Sequence, residues 1–136
     1  SPVVNTYSIE TTIAEKIDAI LSLMEFSSRM KDYYDIYYLA NKYDFDGKIL
    51  TEALRKTFEN RGHTFTIEQF EKVIKFAYDY AMQNKWNAFT RKIDIKATDF
   101  GSVITIIETF LAKPFSRVLE GKEYVKKWSA SICNWM

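Results

Sequence analysis

Apolar residues return every three or four positions through most of this chain. Ile13, Ile17, Ile20, Leu21 and Met24 fall at i, i+4, i+7, i+8 and i+11, which is one face of a helix. Thr11 or Thr12 can cap that helix, and Glu15 falls in its first turn, where the dipole favours an acid. Ser27-Ser28 ends it and caps a second helix over about residues 30–43. The turn Tyr43-Asp44-Phe45-Asp46-Gly47 leads into a third, with Ile49, Leu50, Ala53, Leu54, Thr57 and Phe58 on one side, broken at Asn60-Arg61-Gly62-His63. Thr66-Ile67-Glu68-Gln69 has the form of a capping box. Behind it Ile67, Phe70, Val73, Ile74, Ala77, Tyr78 and Ala81 make the cleanest amphipathic stripe, and Trp86, Phe89 and Ile93 continue in a short helix. Thr98-Asp99 caps another, carrying Phe100, Val103, Ile104, Ile107, Phe110 and Leu111. Pro114 stops it and suits the first turn of a last short helix with Phe115, Val118 and Leu119. Residues 3–9 read as an extended lead-in; strand signals are nearly absent after it. The tail, residues 126–136, carries Trp128 and Trp135 but no period that assigns it to an element. The pattern predicts an all-α fold: an irregular helical bundle of about five to seven helices in one domain over residues 1–136, with a short extended N-terminal lead-in.

Composition agrees with a folded domain. Of 136 residues, 47% are hydrophobic and 16% aromatic, enough to build a core without covalent staples. The formal net charge is +1, which leaves no global electrostatic footprint for nucleic acid or an anionic membrane. Cys133, the one cysteine, cannot form an internal disulfide and reads as a partly buried, inert thiol. His63, the one histidine, sits beside a glycine with no matching cluster for a zinc site or a serine triad. No apolar run reaches the roughly 18 residues of a membrane helix, and no signal peptide is visible, so the cytoplasm is the expected location.

Chemistry concentrates in a few places. The helix containing Ser28-Arg29-Met30-Lys31-Asp32-Tyr33-Tyr34-Asp35 puts Asp32 and Asp35 on the side of Ile36 and Leu39, and Tyr33, Tyr34, Tyr37 and Tyr38 on the other. Both sides are buriable, so the helix reads as sandwiched. A buried carboxylate needs a partner, or it costs several kcal/mol. The bland reading pairs Asp32 with Arg29, Lys31 or Lys16 as a first-turn acid; the functional one has Asp32 and Asp35 lining a site. Lys16, in Ala14-Glu15-Lys16, edges the first apolar stripe, where it can snorkel to water or present an ammonium to a phosphate. Asp44-Phe45-Asp46 has the acid-x-acid form of a metal pair, but it runs into Gly47 and a helix start, which is ordinary turn and cap chemistry. Lys113, Arg117, Lys122, Lys126 and Lys127 with Trp128 and Trp135 could face RNA, against a solvated surface as the simpler reading.

Three segments in this order carry a resemblance: Ile9-Glu10-Thr11-Thr12-Ile13-Ala14-Glu15-Lys16, then Ser28-Arg29-Met30-Lys31-Asp32-Tyr33-Tyr34-Asp35, then Phe45-Asp46-Gly47. Trp86-Asn87-Ala88-Phe89, Asp99-Phe100 and Phe110-Leu111-Ala112-Lys113-Pro114 extend it. Together they resemble the AbiEii/AbiGii nucleotidyltransferase toxins of abortive-infection and toxin–antitoxin systems. The resemblance implies two lobes. The first is a polymerase-β-like lobe with a Gly-Ser turn and an acid-x-acid metal pair; the second is helical. It also implies Lys16 and Asp32 as catalytic residues at the junction, with Glu15, Arg29 and Asp35 in support. Arg29-Met30-Lys31-Asp32 varies the commoner Arg-Asp form of that motif.

The chain departs from the family at the metal-binding half. Gly101-Ser102 leads to no acid-x-acid pair, so no metal ligand is expected within this chain. With a first residue other than Met, this suggests the C-terminal lobe of a longer two-lobe protein, inactive alone. The complete enzyme would use Mg2+ and an NTP to transfer a nucleoside monophosphate. Expected partners are the missing N-terminal lobe, an antitoxin protein and an RNA acceptor, with no membrane. Asp32 and Asp35 would then be exposed at the vacated seam. The alternative is a non-catalytic helical module that binds a protein or RNA.

Overall fold

A computed structural model of the chain describes residues 8–93 and 98–136. Six α-helices occur among the described residues: α1 (Ile9–Leu23), α2 (Met30–Lys42), α3 (Gly47–Arg61), α4 (Ile67–Lys75), α5 (Tyr80–Ile93) and α6 (Phe100–Leu119). Three short strands, β1 (Phe45–Asp46), β2 (Lys127–Ser129) and β3 (Asn134–Trp135), pair antiparallel in the order β1-β2-β3. The bundle is the predicted one, and the small sheet is additional. Most of the extended lead-in, residues 3–7, lies outside the described residues.

Helix α1 starts earlier than its apolar spacing suggests. Ser8 is the N-cap, accepting from the Thr11 amide at 3.1 Å. Ile13, Ile17, Ile20 and Leu21 are buried between α2 and α3. Thr66 and Gln69 close the predicted capping box on α4, each side chain bonding the other residue's amide. The stripe behind it does not continue unbroken. Helix α4 ends at Lys75, a 3-10 turn follows over Phe76–Tyr78, and Tyr78 is exposed. Asp79 then opens α5 by accepting from the Met82 amide at 2.9 Å. On α3, Leu50, Leu54, Thr57 and Phe58 are buried as expected, but Ile49 is half in solvent.

The largest correction concerns Pro114. It lies inside α6, which runs through to Leu119 without a second helix. A proline within a helix lacks the amide that would bond the carbonyl four residues back. That carbonyl belongs to Phe110, and the Trp135 indole donates to it at 3.0 Å. The tail thus supplies the donor that the proline removes.

Trp128 acts similarly at another helix end. Its indole donates at 2.8 Å to the Ala40 carbonyl, in the last turn of α2 where carbonyls lack helical partners. Its ring packs on Phe110, with centroids 4.8 Å apart, and Trp135 stacks on the same Phe110. Asp44 accepts from the Ala130 amide, and Asp46 caps α3 through the Lys48 amide while pairing with Lys127 at 2.8 Å. The acid-x-acid segment is therefore cap and clamp, as its turn reading predicted, with the strand pairing added.

Gly47 sits where β1 enters α3, and its amide donates to the Lys126 carbonyl at 2.8 Å. A Cβ there would run into the carbonyl oxygen of Tyr124 and meet that of Lys126 at 2.7 Å. Both are backbone atoms, so the tail would have to move. Gly47→Ala is expected to destabilise the fold by about 1–3 kcal/mol, as overpacking does. A urea midpoint equal to wild type would refute this close approach.

Candidate active site

Helix α1 and helix α2 lie side by side, and charged residues of the two meet across the seam. Lys16 is presented by α1 at the margin of its buried face. Asp32 and Asp35 are one turn apart on α2 and point at it. The Lys16 Nζ lies 3.3 Å from Asp32 Oδ1 and 3.1 Å from Asp35 Oδ2. Two further cations stand outside these acids. Arg29 Nε is 3.1 Å from Asp32 Oδ2, and Lys31 Nζ is 2.7 Å from Asp35 Oδ2. The charges alternate in a row: Arg29, Asp32, Lys16, Asp35, Lys31.

Burial differs sharply along that row. The Asp32 side chain is 2% exposed and Lys16 is 23% exposed, whereas Arg29 and Lys31 reach 58% and 69%. The exposure expected of Asp32 at a vacated seam is therefore wrong. Lys16 of α1 and Arg29 lie against it, and Ile36 below it is fully buried. Asp32 Oδ2 nevertheless lacks an aligned hydrogen-bond donor, despite the nearby guanidinium. It keeps an unused lone pair inside the cluster, shut off from solvent.

Burial is the largest single influence on the Lys16 ammonium and opposes its charge. The attraction and hydrogen bonding of Asp35 and Asp32 together outweigh it, so the pKa lies above its ordinary value of 10.5. A raised lysine pKa gives stability that is full below the unfolded pKa and lost as pH rises through the folded one. Asp35→Asn removes one source of that shift. Its deficit in urea stability against wild type should be constant from neutral pH to about pH 10, then shrink as lysine deprotonates. A deficit independent of pH up to 11.5 would argue against the pair.

The four tyrosines divide among three environments. Tyr33 is fully buried, edge-on to Phe100 on α6, and its hydroxyl has no partner. Burial, with the charge of Asp32 beside it, pushes its pKa upward. Tyr34 meets Phe89 of α5 and stacks along α2 on Tyr38. Tyr37 is half-buried, and Tyr38, 43% exposed, hydrogen-bonds Lys42. Helix α2 is sandwiched, as its two apolar sides predict, by α1, α5 and α6.

A second ionic cluster lies elsewhere on α1. Asp18 is buried and takes His63 Nδ1 at 2.9 and 3.1 Å on its two oxygens. Arg61 bridges Asp18 and Glu15, both at 3.5 Å. Glu15, placed beside Lys16 by the family motif, thus turns away from the α2 acids. Ser22 also reaches His63 at Nδ1, at 3.4 Å. Serine and aspartate on one ring nitrogen leave no proton relay, so this is not a hydrolase triad. The signal in sequence was an acid within the apolar run Ile17-Asp18-Ala19-Ile20.

Other candidates resolve simply. Trp128 and Trp135 spend their rings and indole donors on packing, which removes them as stacking platforms for RNA bases. Cys133 is free and half-buried, with Sγ 3.3 Å from Asn41 Oδ1. Among the described residues, no three or more His, Cys, Asp and Glu gather to hold a metal ion, and no helix is long and apolar enough to cross a membrane.

The chain belongs to the AbiEii nucleotidyl transferase toxin family of type IV toxin–antitoxin systems, whose model matches residues 1–120. No curated protein and no solved structure gives a match. The matched span ends one residue past α6, so the clamp of β2 and β3 lies beyond it.

Proposed function

We propose that this chain forms the helical wall of a nucleotidyltransferase centre, with Lys16 and Asp32 as its working groups. The convergence of the Lys16 ammonium on Asp32 and Asp35 carries this reading. Two family motifs, distant in sequence, bring their charged residues within ion-pair distance at a partly open seam. In the reaction, an acceptor hydroxyl attacks the α-phosphorus of an NTP. The bond from that phosphorus to the bridging oxygen breaks, and pyrophosphate leaves. Negative charge grows on the phosphoryl oxygens, where a fixed ammonium stabilises it more than it stabilises the ground state. Asp32 fixes the direction of Lys16; its Oδ2 is buried against Arg29, so it takes the acceptor proton only once that guanidinium has swung aside.

The Mg2+ that such a reaction uses does not fit these carboxylates. Each already faces two cations within 3.4 Å. A divalent ion would have to displace lysine and arginine from both acids. The metal-holding acids belong, in this reading, to a second lobe, and the chain by itself does not transfer nucleotide. An antitoxin protein and an RNA acceptor are the partners that fit a toxin of this family, and the cytoplasm is where an NTP-using toxin would act.

The test uses the polypeptide as its gene encodes it. It is incubated with each of the four NTPs labelled at the α-phosphate, with Mg2+ and cellular RNA or protein. Label joined covalently to a macromolecule, with pyrophosphate released, is the expected result. Hydrolysis alone, or no reaction with any NTP, would sink the proposal.

A further inference from the structure

The row of charges poses a problem for a phosphate-binding lysine. Lys16 with Asp32 and Asp35 carries a net charge of −1 (one ammonium, two carboxylates), which repels a polyphosphate. Adding Arg29 and Lys31 changes the sum to +1. Those two cations lie at opposite ends of the row, and both are largely in solvent. Lys31 shares one oxygen, Asp35 Oδ2, with Lys16, at 2.7 Å against 3.1 Å. A Lys16 that swings toward an anionic ligand therefore leaves Asp35 still paired. Arg29 does the same for Asp32. The first turn of α2 adds the positive end of its dipole, since Arg29 is the residue before the helix and its side chain caps nothing.

We propose that Arg29 and Lys31 are positioning residues that set the sign of the site, admitting a polyphosphate to a centre whose inner three groups would exclude it. This rests on the reading of Lys16 as a phosphate contact, and it adds two residues to that reading. Neither flanking cation need touch the reacting atoms. Each neutralises one of the acids that grip Lys16, and so releases the ammonium for the ligand.

Inorganic tripolyphosphate is the probe, titrated into the 136-residue chain by calorimetry at low salt. Wild type should bind. Lys31→Gln and Arg29→Gln should each weaken binding by about tenfold, the order expected for one unit charge a few ångströms from a polyanion at a wet surface. The double variant should lose about a hundredfold if the two charges act independently. Lys31→Arg should bind like wild type, which a role for the exact shape of lysine would not allow. Raising salt should shrink all these differences, because the effect is one of charge. Circular dichroism and thermal melting establish that each variant is folded.

Two outcomes overturn the proposal. If the glutamine variants bind like wild type while Lys16→Met loses the ligand, Lys16 acts alone, and the nucleotidyltransferase reading survives. If wild type binds no tripolyphosphate, the flanking cations admit nothing, whatever the gene product does with NTPs. Conversely, charge-dependent binding without any nucleotide transfer would uphold the role of Arg29 and Lys31 and remove the reaction assigned to their site.

Discussion

Trp128→Ala is expected to cost about 3–5 kcal/mol, the range for truncating a fully buried aromatic. Trp128 is 0% exposed, the more notable because it lies on a three-residue strand near the end of the chain. Its ring fills the space among Phe110, Trp135 and the pairing partner Phe45. Its indole is also the donor for the Ala40 carbonyl, which would become a buried, unpaired acceptor. A domain of this size has about 5–15 kcal/mol in total, so the variant should sit near the edge of folding at 37 °C. Urea unfolding followed by circular dichroism measures this directly. Trp128→Phe separates the two contributions. It keeps most of the packing and loses the hydrogen bond, so about 1–3 kcal/mol should disappear. If the alanine variant unfolds at the wild-type midpoint, residues 127–136 are an appendage and not a clamp.

That clamp was the least legible part of the sequence, and the reason is physical. Strand periodicity needs several alternating residues, and β1, β2 and β3 offer two, three and two. Their pairing is fixed by contacts distant in the chain, such as Phe45 opposite Trp128. The same contacts explain the error at Pro114. Local rules end a helix there, but the Trp135 indole restores a partner for the Phe110 carbonyl from the tail. Neighbour rules succeeded at the Thr66–Gln69 capping box, the Asp46 cap and the faces of α1 and α6. They failed at the starts of α1 and α2, where Ser8 caps in place of Thr11 or Thr12 and Arg29, without a side-chain cap, stands at the position expected of Ser28. The site was legible in part. Motif order named Lys16, Asp32 and Asp35, and the structure brings those three together. It could not show that Asp32 is buried, since burial comes from the neighbouring helix. Nor could it show that Glu15 turns to Arg61, the last residue of α3 and on another seam.

Lys16→Met should reduce nucleotide transfer by the gene's full product by about 10²–10³-fold, the loss seen when one preorganised charge is removed from a developing oxyanion. Methionine keeps much of the aliphatic stem, so packing at the rim of α1 is retained while the ammonium goes. The loss should fall on kcat as well as on kcat/KM, because the charge on the phosphoryl oxygens is larger in the transition state. Asp32→Asn provides the contrast. It preserves shape and leaves Lys16 with Asp35, so the ammonium remains but loses one of the two groups that aim it. A role in aiming alone predicts a smaller loss than Lys16→Met and an unchanged pH profile. A role as proton acceptor predicts a loss of a size comparable to that of Lys16→Met. The two variants also differ in stability. Removing the lysine leaves two carboxylates facing each other, one of them buried, with only Arg29 and Lys31 to offset them. Lys16→Met should therefore be the less stable of the two proteins at neutral pH, measured by urea unfolding. Lys16→Met protein with full activity would remove this lysine from the chemistry, and with it the reason for placing the site at the α1–α2 seam.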